Sequence, residues 1–428
     1  LKPFVYALAM DVGLIHPYSL MDDTAKRFAA FTPENFDRRF AGPIIAQDAL
    51  IYSRNVPAVD LLNRLGQQRF HRFLTEAGVS GLRPASFYGL ASVLGGNELS
   101  MVEIAQLYAM LANGGRWQPA RFLAKDPIQA PRRLLSPEAS FLTLQMLTKN
   151  PPAPGFQPPG QRQSEIAWKT GTSFAFRDAW AVGVVGPYTL AVWTGNFDGS
   201  SNNAFVGRTA SGPLFFSIIE SLADRLKNTR HSLGQPAATL SLAQASMCID
   251  SGDLAGAHCP RTIEGYLIPG VSPIKVSKVY RRVAIDTKTG LRACQNELDS
   301  VEFRTYAFWP SKAAAAMRSA GIHLRQAPAW NPTCTLDQRA AADRAPRIST
   351  PLADSTYHSR KDDPSRNTIE LQADVASDVQ SVYWFANKVP LGRSTADKGL
   401  LWQLQPGIYE LTAIDDAGRT DQTQLRVN

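Results

Sequence analysis

The 428-residue chain has 44% hydrophobic and 19% charged residues, a globular balance that excludes gross disorder, and its length calls for two or three domains rather than one core. A formal net charge of +8 raises the question of an anionic partner, but no long Lys/Arg block or aromatic-interleaved basic stretch supports nucleic acid, and a solvated basic surface is the plainer reading. No apolar run of about 18 residues occurs, so no membrane span is expected within the chain.

The opening stretch, Leu1 to Met10 (LKPFVYALAM), reads as a buried helix with a lysine at its head. Residues 1–115 are mainly helical in pattern. Met101 to Ala112 sets apolar side chains at helical spacing, Ser100 and Glu103 make a capping-box pair before it, and Asn113-Gly114-Gly115 stops it. Another helix is expected over 136–149, ending in the loop Asn150 to Gly155. The texture then changes to strands: Glu165 to Lys169, Asp178 to Val185, a Gly186-Pro187 turn, and Tyr188 to Thr194. Helix resumes near Pro213 and runs to Leu226. Helices, a β-meander and a returning helix make one α+β domain over residues 1–230.

Residues 228–245 are polar and rich in Ala and Ser, a plausible linker, and the segment 231–343 continues with short strands such as Val276 to Ile285. Arg344 to Arg366 is rich in Pro, Ser, Asp and Arg. Period-2 alternation follows at Ile369, Leu371, Ala373 and Val375, and again at Tyr409, Leu411 and Ala413, with Asp415 to Gly418 as a turn before Leu425 and Val427. That rhythm predicts a small all-β, Ig-like sandwich over 344–428. No internal repeat is visible.

All four cysteines, Cys248, Cys259, Cys294 and Cys334, fall in the middle segment. An even, clustered set points to disulfides and an oxidising compartment. Zinc is the rival, with His258-Cys259 as its foothold, but there is no C-x-x-C pair and no His-x-x-x-His; reduced structural cysteines are the third reading. No metal is expected. Three pairings are possible, and the sequential one, Cys248 with Cys259 and Cys294 with Cys334, is the expectation.

Three strings carry chemistry when taken together: Lys2-Pro3-Phe4, Ser53-Arg54-Asn55, and Lys169-Thr170-Gly171-Thr172-Ser173. Alone each has a bland reading. Lys2 is a helix-start lysine, Ser53 a cap or surface hydroxyl, and Thr170 and Thr172 are β-branched residues on a strand. The last two strings match the later motifs of the penicillin-recognising serine acyltransferases, which run S-x-x-K, S-x-N and K-T-G. Lys2 stands where the lysine of the first motif belongs, and counting back three places the serine upstream of Leu1. Further strings, Pro33 to Asp37, Gly42-Pro43, Ser53 to Val59, Gly95-Gly96, Leu111 to Gly115, Asp178-Ala179-Trp180 and Val192 to Asn196, resemble class A penicillin-binding proteins. Trp384-Phe385, Gly392, Pro406-Gly407 and Asp415 to Arg419 resemble the small terminal domain of the 1C type.

The resemblance implies a fold, a penicillin-binding transpeptidase domain, and an activity, peptidoglycan D,D-transpeptidation by serine acyl transfer at D-Ala-D-Ala. It implies a periplasmic protein anchored to the inner membrane by an upstream segment, with an upstream glycosyltransferase domain, and no cofactor. Its partners would be peptidoglycan stem peptides and β-lactams, with an envelope protein as a candidate for the terminal domain. On this resemblance Lys2 is the general base and needs to be neutral, and burial together with the charge of Lys169 lowers its pKa. Ser53 relays a proton, and Asn55 holds Lys2 and a substrate amide. Thr170, Gly171, Thr172 and Ser173 line the strand against which the substrate lies. Thr170 and Thr172 meet its carboxylate, Gly171 leaves room for its approach, and the amide of Thr172 gives half the oxyanion hole. The chain taken alone, with the serine upstream, is expected to be inactive. The rival readings are a D,D-carboxypeptidase or β-lactam hydrolase using the same residues, and a non-catalytic peptidoglycan- or partner-binding module. Arg54, Arg177 and Asp178 read as structural or rim residues. The six histidines sit in no serine-elbow context, no G-x-S-x-G occurs, and no phosphate-binding loop is present.

Overall fold

A computed structural model describes residues 1–28, 31–156, 165–222, 225–226, 233, 236–294, 300–335, 345–351, 355–357, 367–376, 379–396 and 398–428. These residues form two compact units, one of 1–254 with 261–275, the other of 255–260 with 276–428.

The first unit is α+β. Its core helix is α1 (Lys2–Asp11), with Pro3 in its first turn and every residue from Lys2 to Met10 buried. A helix apolar on all sides has to lie inside a domain, and α1 does: the Phe4 ring meets Tyr108 edge-on at 5.4 Å. A short hairpin of β1 (Leu20–Asp23) and β2 (Gly42–Ile45) leads into α2 (Ala46–Ile51). The helices α3 (Asn55–Leu65), α4 (Gln67–Glu76), the one-turn α5 (Ala85–Tyr88) and α6 (Met101–Ala112) follow. At α6 the Ser100 hydroxyl accepts from the Glu103 amide at 3.2 Å while the Glu103 carboxylate accepts from the Ser100 amide at 2.7 Å, the reciprocal cap read from sequence. A second hairpin, β3 (Arg116–Trp117) with β4 (Arg132–Arg133), precedes α7 (Pro137–Thr148).

The sheet comes next: β5 (Ile166–Thr172), β6 (Asp178–Val185) and β7 (Tyr188–Gly195), antiparallel and in that spatial order. One face, through Ala167, Val182 and Val184, joins the core around α1. The other, through Trp168, Ala181, Val185 and Val192, receives Phe215 and Phe216 of α8 (Ser211–Ser221). Among the described residues nothing pairs with the outer edge of β5. The polar stretch read as a linker ends in a strand, β8 (Ala243–Cys248), paired with β9 (Thr262–Leu267). Met247 and Cys248 at its end are fully buried, so local polarity gave way to a core contact that only tertiary structure supplies.

In the second unit β10 (Tyr280–Asp286) and β11 (Val301–Ala307) form a two-stranded ribbon, followed by α9 (Ser311–Ser319). Cys294 is bonded to Cys334 with Cα atoms 5.4 Å apart. Cys248 and Cys259 are also oxidised, and no cysteine is free. The C-terminal part is an Ig-like sandwich. One sheet has β12 (Arg347–Thr350), β14 (Thr368–Asp374) and β17 (Leu400–Gln403), and the other β13 (Ser355–Tyr357), β19 (Thr420–Val427), β18 (Gly407–Asp415), β15 (Ser381–Ala386) and β16 (Val389–Thr395). The β13–β19 pairing is parallel, so the second sheet is mixed. Alternate residues Ile369, Leu371, Val382, Trp384, Leu411, Ala413, Leu425 and Val427 fill the space between the sheets. Among the described residues no helix is long and apolar enough to cross a membrane.

Candidate active site

Lys2 enters from the first turn of α1 and is only 9% exposed. Its Nζ lies 2.8 Å from the carbonyl oxygen of Ser53, 3.0 Å from the Ser53 hydroxyl and 2.6 Å from Asn55 Oδ1. Both contacts to Ser53 depend on its backbone. The residue sits between α2 and α3 with φ +58°, a left-handed conformation that costs a non-glycine residue about 1–2 kcal/mol. In that conformation its carbonyl and hydroxyl address one nitrogen. Strain of this kind concentrates where geometry has to be held.

Burial is the main cause that pushes the Lys2 ammonium well below its ordinary pKa, with the charges of Lys169 and Arg54 adding to it. A neutral amine has two N–H donors and one lone pair. The Ser53 carbonyl and Asn55 Oδ1 can only accept, so in the neutral form they take the two protons, and the lone pair faces a hydroxyl. Lys169, from the middle of β5, is 5% exposed and donates to the Thr170 carbonyl at 3.0 Å. Burial first, then the charge of Arg208, brings it down to about 7.

The rest of the Lys169–Ser173 string continues along β5 to its end. Gly171 faces Trp180 across the β5–β6 pair, and a Cβ there would make only ordinary contact with the Trp180 side chain. The fold does not demand glycine at this point. Gly207 is different: a Cβ on it would collide with the carbonyl of Gly171. The Gly207 amide donates to Thr172 Oγ1 at 3.0 Å, which leaves the Thr172 O–H as a donor. Thr170 is half-buried. The Ser173 hydroxyl accepts from the Asp178 amide at 2.8 Å, and its own amide donates to the Asp178 carbonyl at 2.9 Å. Ser173 therefore closes the turn from β5 to β6. Asp178 in turn accepts from the Trp193 indole at 2.9 Å.

The structure thus brings Lys2, Ser53 and Asn55 into direct contact and sets Lys169 near enough for its charge to act on Lys2. Behind them lies a polar lattice that sequence reading did not single out. Asn35 Oδ1 accepts from the Asn55 amide at 2.7 Å, and its Nδ2 donates to Asp23 Oδ1 at 2.7 Å and to the Arg39 carbonyl at 2.9 Å. Asp23, with no exposed surface, also receives the Ala41 amide and Arg54 Nε. Arg54 continues to Asp37 at 2.9 Å and to the Arg39 carbonyl. Asn55 Nδ2 donates to the Glu34 carbonyl at 2.7 Å. The sequence signals for this lattice were the strings Pro33 to Asp37 and Ser53 to Val59, noted for their resemblance, with Arg54 read as a structural or rim residue.

Residues 1–207 match the penicillin-binding protein transpeptidase domain, and residues 335–427 match the penicillin-binding protein C-terminus family. Over residues 1–207 and 335–427, then, the chain is similar to penicillin-binding proteins of transpeptidase fold. It is 29% identical to penicillin-binding protein 1C of Escherichia coli (strain K12) over 444 residues, which take in 98% of this chain and 54% of that protein. It is 30% identical to penicillin-binding protein 1F of Bacillus subtilis (strain 168) over 239 residues, 51% of this chain and 33% of that one. The chain therefore spans about half or less of these relatives. Penicillin-binding protein 1A from Haemophilus influenzae shares the fold, with TM-score 0.53 at 21% identity over 64% of this chain and 48% of that one.

Proposed function

We propose that this chain is the transpeptidase portion of a bifunctional, class A penicillin-binding protein of the 1C type, and that the intact protein cross-links peptidoglycan by acyl transfer from D-Ala-D-Ala. The observation that carries the reading is the buried amine of Lys2, its pKa pushed well below the ordinary lysine value chiefly by burial, held by Ser53 and Asn55. A neutral amine in that position is a general base for a hydroxyl one helical turn earlier, which the motif spacing puts three residues before Lys2.

In the acylation step the serine oxygen bonds to the carbonyl carbon of the penultimate D-alanine and its proton passes to Lys2. The C–N bond breaks, and the departing D-alanine amine takes a proton through Ser53. In the second step the amine of a neighbouring stem attacks the ester, gives its proton back along the same path and restores the serine. The substrate backbone lies along the open edge of β5 as an added strand, with the Thr172 hydroxyl available to its carboxylate and Gly171 giving the clearance. Lys169 has two uses: its charge depresses Lys2, and it draws the anionic end of the stem peptide. A glycosyltransferase domain and a membrane anchor upstream, and a periplasmic location, complete the proposal, in keeping with the oxidised cysteines.

The test is labelling of the intact protein with a fluorescent penicillin, followed by peptide mapping. The expected adduct is on the serine three residues before Lys2, and residues 1–428 expressed alone take no label. An adduct inside 1–428 refutes the assignment. With stem-peptide substrate, cross-linked dimers are the expected product. Release of D-alanine without dimers would instead make the protein a carboxypeptidase, and no turnover with intact β-sandwich binding to sacculi would make it a binding module.

A further inference from the structure

The hairpin of β3 and β4 carries a projecting loop that the acyl-transfer chemistry does not use. At its tip Phe122 is 76% exposed, Leu123 55% and Ile128 74%. The hairpin also carries five exposed basic residues, Arg121 and Lys125 in the loop and Arg116, Arg132 and Arg133 on the strands at its base, and between Arg116 and Arg133 the sole acidic residue is Asp126. That carboxylate is turned inward: Asp126 Oδ2 accepts from the amides of Phe122 at 3.0 Å and Leu123 at 2.8 Å. The exposed charge of the loop is therefore positive, beside exposed apolar side chains and two glutamines, Gln118 and Gln129.

The tip is built, not loose. The Asp126 amide donates back to the Leu123 carbonyl at 3.0 Å, Arg121 to the Ala124 carbonyl at 2.6 Å, and Gln118 spans the base to the Gln129 carbonyl at 2.6 Å. Arg132 lies 4.5 Å over the ring of the buried Trp117, and Arg133 donates to the Gly114 carbonyl at 2.9 Å. Pro119, Pro127 and Pro131 limit the backbone further. Three large apolar side chains held outward therefore stay in water, which a chain has no reason to maintain without something to receive them.

We propose that this loop is an interfacial membrane contact, inserting Phe122, Leu123 and Ile128 among the acyl chains at the surface of an anionic bilayer while the surrounding guanidinium and ammonium groups meet lipid phosphates. Size and charge favour lipid over a protein partner. A stable protein interface buries about 800 Å² per side, more than three side chains on one loop offer. Interfacial insertion needs only a few apolar side chains with a cationic collar, and Lys and Arg stems reach up from such a depth to the headgroups.

The experiment is co-flotation of the full chain with vesicles of phosphatidylethanolamine and phosphatidylglycerol, against vesicles of phosphatidylcholine alone. Binding to the anionic vesicles that weakens with added salt is expected, with little on the neutral ones. A chain with both Phe122→Ser and Ile128→Ser should partition on the order of ten-fold less. Lys125→Gln and Arg116→Gln should each weaken it roughly five-fold at low salt. All four positions are exposed, so an unchanged unfolding midpoint checks the fold. Phe122→Trp supplies a direct readout, a blue-shifted emission on anionic vesicles. Absence of binding, binding indifferent to the serine pair, or an unshifted Phe122→Trp emission overturns the assignment. So does retention on protein or on peptidoglycan that needs the loop while vesicles are ignored.

Discussion

Asn35→Ala removes three hydrogen bonds from a site that is 3% exposed, those to the Asn55 amide, the Asp23 carboxylate and the Arg39 carbonyl. The bond to the carboxylate is charge-assisted and worth about 1.5–3 kcal/mol, and the two neutral ones about 1 kcal/mol each. The expected loss is therefore about 4 kcal/mol. In a unit of this size each kcal/mol moves the midpoint by about 2–4 °C, so the first unit should melt about 8–16 °C lower. Function should suffer beyond stability, because Asn35 fixes the amide of Asn55, and Asn55 Oδ1 fixes Lys2. In the intact protein at a temperature where the variant is folded, acylation by penicillin should slow, and its pH profile should shift because Lys2 loses a fixed partner. The paired measurements are calorimetry and acylation rate against pH. A loss below about 1 kcal/mol with an unmoved pH profile would refute the idea that Asn35 is a positioning residue.

Lys169 is brought down to about 7 and Lys2 well below its usual range, whereas unfolded lysines keep their protons to about pH 10.4. The unfolded chain thus binds more protons across that interval, so stability rises with pH from about 7 towards 10; urea midpoints at pH 7 and pH 9 should show the rise, and Lys169→Met should flatten it. At Ser53, with φ +58°, Ser53→Gly should exceed Ser53→Ala in stability by about 1 kcal/mol, while both slow acyl transfer by about 100-fold or more in the intact protein. Equal stability of the two would deny the backbone strain. Replacing Cys294 and Cys334, 40 residues apart, with serine should cost the second unit about 4 kcal/mol on chain-entropy grounds, measured by differential scanning calorimetry under non-reducing conditions.

What sequence made legible was local. The Ser100–Glu103 cap and the strands of the sheet are decided within a few residues of themselves, by spacing and alternation. The link of Lys2 to Ser53 and Asn55 spans about fifty positions and came from ordered motifs, not from any periodicity. Asn35 and Asp23 were opaque for a physical reason, whereas Arg54 reads from sequence as a structural or rim residue. An asparagine is a turn residue in most contexts, and only the hairpin of β1 and β2 folding back over the start of α3 turns it into a buried three-way connector. The strand β8 was hidden likewise, since alanines and polar residues such as those at 243–246 carry no β signal until a partner strand is beside them.

The unpaired outer edge of β5 has a cost as well as a use. A row of unmet backbone donors and acceptors takes up any extended peptide, a second copy of the same strand included. A protein that keeps such an edge open for catalysis is at its most self-adhesive when its cleft is empty. Any ligand that lies along Lys169 to Thr172 then acts as a temporary fourth strand, so a bound ligand should suppress aggregation.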